Sequence, residues 1–158
     1  MTPARRALRS LLLLFVQLSG VSTALADVVV SAAQVRLAPP GSANSAAFMT
    51  LHNQGASDRR LVGASSPLVS RVELHTHYND DGVLRMRALT GIEIKAGSQL
   101  TLKSGADHLM LIGLRGALTE GQTVSITLNF DDGSQQVIAA PVRRFHPEPE
   151  STSRHSHH

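Results

Sequence analysis

The chain has 158 residues, a formal net charge of +3, and neither cysteine nor tryptophan. That length suits one domain, and the lack of thiols excludes disulfides, thiolate zinc sites, thiol redox chemistry, cysteine nucleophiles and cysteine-ligated blue copper. With one tyrosine and four phenylalanines, aromatic platforms for single-stranded nucleic acid are excluded as well.

Residues 1–26 read as a secretory signal peptide. Arg5, Arg6 and Arg9 form a basic start, Leu11 to Val16 an apolar core, and Ala24-Leu25-Ala26 a small-x-small cleavage site before Asp27. The apolar run is too short for a permanent membrane anchor, so no stable membrane insertion is expected. Without a cysteine after the cleavage site, the lipoprotein route is closed. The three leader arginines account for the whole net charge: 15 basic residues less three leave 12, against 12 acidic ones. A neutral exported domain gives no basis for nucleic-acid affinity, and the expected location is the periplasm.

After the leader, short runs of β-branched and aliphatic residues recur between turn signals. Strands are expected at 28–37, 46–53, 60–66, 70–77, 83–89, 91–94, 99–103, 108–114, 123–130 and 135–143. Between them lie Pro39-Pro40-Gly41, Asp80-Asp81-Gly82, Asp131-Asp132-Gly133 and similar residues that accept turn dihedrals. The last of these predicts a hairpin about Asp132-Gly133. Val124, Ile126, Leu128 and Phe130 alternate with Ser125, Thr127 and Asn129, one face apolar and one polar. No helix-length amphipathic stretch follows residue 27. The expectation is an all-β sandwich or barrel of nine or ten short strands occupying 27–145. The polar segment 146–158 is expected to be a flexible tail.

Two pairs of soft and nitrogen donors stand out. In "VELHTHYNDDGVLRMRAL", a hairpin centred on Asp80-Asp81 places His75 opposite Met86 and His77 opposite Leu84. Cross-strand neighbours have Cβ atoms about 5 Å apart. In "DHLML", His108 and Met110 lie two apart on a strand and share a face, with Leu109 and Leu111 turned to the core. Two thioethers and two imidazoles are a soft, neutral set that favours Cu(I); zinc rarely accepts methionine, and calcium or magnesium want oxygen. Methionine also avoids the disulfide formation that disables thiolate sites in an oxidising compartment. The alternative is that Met86 and Met110 fill gaps in the core and the histidines are ordinary surface or hydrogen-bonded residues.

The spacing His75-x10-Met86-x21-His108-x-Met110 resembles the signature of the periplasmic copper chaperone family PCu(A)C. "FMTLHNQG", "RLVGASSP", "GVLRMR", "GIEIKAG" and "HLMLIGLRGALTEG" resemble that family too, across residues 28–143. The resemblance implies a cupredoxin-like Greek-key β-sandwich of about nine strands, with Cu(I) held by His75, Met86, His108 and Met110. It further implies delivery of copper to the Cu(A) centre of cytochrome c oxidase subunit II, alone or with a Sco-type thiol protein. It implies a carrier, with no catalytic turnover. Some family members carry methionine beside the first histidine; here Thr76 and His77 follow.

The tail offers His146, His155, His157 and His158 with Glu148 and Glu150. Imidazole and carboxylate without sulfur suit Cu(II) or Zn(II), against the alternative of a solvated tail. Met49 is expected in the core and His52 at the surface, since their odd spacing puts them on opposite faces. Two other readings stand beside the chaperone: a periplasmic copper store or resistance protein, and a metal-independent β-sandwich binding module.

Overall fold

A computed structural model describes residues 27–145. The leader and the tail, with His146, His155, His157 and His158, lie outside the described residues.

The ten strands are β1 (Val28–Arg36), β2 (Asn44–Asn53), β3 (Arg59–Ser65), β4 (Val69–Asp80), β5 (Val83–Leu89), β6 (Ile92–Ile94), β7 (Gln99–Leu102), β8 (His108–Leu114), β9 (Thr123–Phe130) and β10 (Gln135–Arg143). No helix occurs among the described residues. The all-β expectation is met, and each of the ten expected strands forms; the shortest, β6, is bracketed by Gly91 and Ala96-Gly97.

The strands hydrogen-bond in the order β5-β4-β8-β2-β1-β10-β9-β3-β6. A bridge between Ala64 and Val72 joins β3 to β4 and closes the sheet into a barrel-like sandwich. Only β1 and β10 run parallel; the other pairings are antiparallel. Strand β2 serves two partners along one edge, β8 at residues 44–47 and β7 at residues 49–52. That division leaves room for the 103–107 turn, which enters β8 at His108.

Period-two alternation decides what fills the interior. Leu51, Leu61, Leu109, Ile126 and Leu128 are fully buried, as are Met49, Leu111 and Val124 to within 1%. With no disulfide available, this apolar burial is the main source of stability. One buried polar group, Asn53, is fully satisfied: its Nδ2 donates to Ser57 O and Ile94 O, and its Oδ1 accepts from the Gly55 amide. It fastens the end of β2 to β6. The β9–β10 hairpin turns at Asp131-Asp132-Gly133 as expected, with Phe130 and Ser134 closing it.

The β4–β5 hairpin departs from the expected register. Asp80 pairs with Val83, His77 with Met86, and His75 with Ala88. The loop is Asp81-Gly82, with φ of 50° and 86°, and the Gly82 amide donates to Asn79 Oδ1 at 2.7 Å. A two-residue loop matching the twist of its strands needs left-handed dihedrals at both positions. Aspartate followed by glycine meets that need; Asp80-Asp81 would have placed two non-glycine residues there. The glycine therefore sets the register, and the expected His75–Met86 pairing does not form.

Candidate metal centre

Strand β8 lies between β4 and β2, so their outward-facing side chains form one surface. Leu109 and Leu111 point inward; His108 and Met110 share the outer face, as expected from their spacing. His75 on β4 pairs with His108, Glu73 with Met110, and Ala46 on β2 lies on the other side of Met110. Met86 reaches the same surface from β5, opposite His77.

His108 is the anchor. Although its strand position faces outward, it is only 3% exposed. Phe48 stands 6.5 Å from its ring, His75 6.0 Å, and His77 stacks on it at 5.0 Å with 29° between the planes. Its Nδ1–H donates to the Ala106 carbonyl at 2.8 Å. A carbonyl only accepts, so the proton is on Nδ1 and the lone pair is on Nε2. Burial pushes the imidazole pKa below its ordinary 6.5, helped by His77 and His75 and opposed by the Ala106 hydrogen bond and Asp107. The ring is thus neutral at physiological pH and needs no proton loss to act as a ligand.

His75 is held differently. Its Nε2–H donates to Glu73 at 2.8 Å, and Arg71 braces the same carboxylate at 2.7 Å. The His75 hydrogen bond, followed by that of Arg71, keeps the Glu73 carboxyl below its usual range. Its Nδ1 is buried and has no hydrogen-bond partner. A buried acceptor without a partner costs free energy, and a bound metal ion would satisfy it.

Met86, His108 and Met110 line one cleft of about 230 Å³ together with His77, Phe48 and Arg36. Met86 is 44% exposed at its mouth. His75 adjoins His108 but stands outside this lining. Three of the four expected ligands therefore meet in the cleft, and His77 occupies the place across from Met86 that was expected for His75. The Asp-Gly loop rule was the signal that would have found His77. Glu73 was also missed, though it lies two residues before His75 on the same strand face. Among the described residues no group of three or more His, Cys, Asp or Glu is placed to hold a metal; a site in this cleft would draw on Met86 and Met110 beside imidazole. Two thioethers beside imidazoles with unprotonated nitrogens suit a soft monovalent ion.

Met49 is in the core as expected, and His52 is partly exposed. Arg85 pairs with Asp80, and Arg87 lies over the Tyr78 ring at 5.3 Å. Both arginines face away from Met86.

Residues 28–142 match the family described as putative lipoprotein LpqE-like. The chain belongs to the LpqE-like family. A putative lipoprotein of Leifsonia xyli subsp. xyli is 42% identical over 119 residues, covering 75% of this chain and 70% of that protein. Among solved structures, the Cu(I) form of DR1885 from Deinococcus radiodurans is 37% identical, with a TM-score of 0.63 over 78% of this chain and 82% of that one. The copper-bound PCuAC domain of PmoF2 superposes with a TM-score of 0.65 over 77% of this chain and 96% of that one; at 20% identity it shows shared fold alone. The expected kinship with PCu(A)C proteins and the cupredoxin-like sandwich are borne out for this LpqE-like chain.

Proposed function

We propose that this LpqE-like protein is an exported metallochaperone that binds Cu(I) and passes it to the Cu(A) site of cytochrome c oxidase subunit II, alone or with a Sco-type thiol protein. The observation that carries the reading is the convergence of Met86, His108 and Met110 on one cleft, with His108 Nε2 left bare. The Cu(I) form of a relative 37% identical supports the choice of ion. His75, the fourth donor implied by the family resemblance, adjoins His108 with its Nδ1 unpartnered and its Nε2 held by Glu73.

Each residue then has a part in carriage. The donors are all neutral, so they add no charge to favour the divalent ion. His108 gives a buried, pre-oriented anchor, and the Ala106 and Glu73 hydrogen bonds raise the basicity of the imidazoles they touch. Met86 is flexible and half-exposed, which lets an incoming ligand join the ion before a resident one leaves. The ion moves between thioether, imidazole and acceptor ligands without changing oxidation state, so no turnover chemistry is required of this chain.

Export agrees with the leader and with the lipoprotein names of the family and of the Leifsonia relative. The present sequence, however, has no cysteine to carry a lipid. Transfer tests delivery. Anaerobically loaded protein mixed with the apo Cu(A) domain should lose its copper to that domain; retention of the ion would mark a store instead.

A further inference from the structure

We propose that His77 is a copper ligand of this chain, completing a cleft-facing set with Met86, His108 and Met110, while His75 is the alternative imidazole beside it. The proposal rests on the Cu(I) reading above and identifies which imidazole meets the ion from the cleft.

Register is the first observation. His77 is the residue directly across the ladder from Met86, and cross-strand partners have Cβ atoms about 5 Å apart. His75, two residues earlier, faces Ala88 on that side. The second observation is ring placement. His77 stacks on His108 at 5.0 Å, and the Nδ1 atoms of both rings approach one carbonyl, Ala106 O, at 3.4 and 2.8 Å. That carbonyl accepts from both, so in each ring the proton lies on Nδ1 and Nε2 is free to bind. The third is access: His77 lines the cleft with both methionines and His108, whereas His75 does not.

His75 is also engaged elsewhere. Its Nε2–H is committed to Glu73, and its bare Nδ1 is buried beside His108. Two imidazoles on one strand, two residues apart and on the same face, therefore offer the ion an inner and an outer nitrogen position around the same His108 and methionine pair. An ion moving from His75 to His77 keeps its ligand count while approaching the cleft mouth and an incoming partner.

The test is nitrogen-15 NMR of histidine-labelled protein titrated with Cu(I) under argon, with His77→Gln identifying the resonances and His75→Gln run in parallel. Copper should displace the His77 Nε2 resonance, and His77→Gln should weaken retention against a Cu(I) chelator about tenfold or more, the scale seen when a metal site loses a supporting group. The amide spectrum of apo His77→Gln verifies that the variant is folded. An unmoved His77 Nε2 signal on loading overturns the proposal. If that happens while Met86→Leu and Met110→Leu still weaken binding, only the role of His77 falls. If the methionine variants bind as tightly as the parent, the copper reading falls and this proposal with it.

Discussion

His77 and Met86 face each other across the β4–β5 ladder because Asp81-Gly82, rather than Asp80-Asp81, forms the loop. The placement of one exposed thioether over the cleft thus depends on a glycine four residues away. Replacing Gly82, whose φ is 86°, with valine forces a β-branched side chain into the left-handed region at a cost of about 1–2 kcal/mol. Gly82→Val should lower both unfolding stability and Cu(I) affinity. Asp81→Gly, which relaxes the neighbouring left-handed residue, should leave affinity intact. Denaturant melts and chelator competition on both variants check the pair.

Acid should loosen the apo protein through His108. Its folded-state pKa lies below the ordinary 6.5, so the unfolded chain takes up the proton first as pH falls. The stability tied to the neutral ring is complete above 6.5 and declines as pH drops from 6.5 through the lower folded-state value. Urea unfolding between pH 7.5 and 5 should therefore show a decline that His108→Gln reduces. An NMR titration midpoint for His108 at or above 6.5 would contradict the burial argument.

Core and site separate on β8. Leu109 is fully buried, and Leu109→Ala should cost about 2–5 kcal/mol, seen as a lower urea midpoint. Met110→Leu next to it is a volume-conserving change expected to cost less than about 1.5 kcal/mol. The first variant thus reports on packing and the second on ligation.

The tail has a distinct prediction. The described chain ends at Phe145, whose ring packs against Phe48 in the cleft wall, with centroids 5.4 Å apart. Deleting residues 146–158 removes His146, His155, His157 and His158 and should abolish Cu(II) binding while leaving Cu(I) binding in place. Cu(II) binding that survives truncation would show the tail assignment to be wrong.

Much of the sandwich could be read from the sequence because alternation survives in single strands. Val124, Ile126, Leu128 and Phe130 announce a buried face, and Leu109 and Leu111 announce which side of β8 carries His108 and Met110. Two things escaped. Symmetry about two aspartates predicts a hairpin centred on Asp80-Asp81, whereas the demand for left-handed dihedrals selects Asp81-Gly82. The burial of His108 depends on Phe48 and on the pairing of β8 with both β2 and β4. Those are long-range contacts, and no local pattern in "DHLML" encodes them. The His75–Glu73 bond lies between these cases, since alternation puts both on one face but does not make them bond.

The central claim is that methionine sulfur, held against His108 in this cleft, binds Cu(I). Anaerobic competition of the Met86→Leu/Met110→Leu double variant against a Cu(I) chelator tests it most directly, with the urea midpoint of the apo form as control. The account predicts a nearly unchanged midpoint and a loss of Cu(I) affinity of at least about a hundredfold, the upper end of what losing a group that merely supports a metal ligand costs. Stoichiometric Cu(I) binding at the parent affinity in that double variant would contradict it.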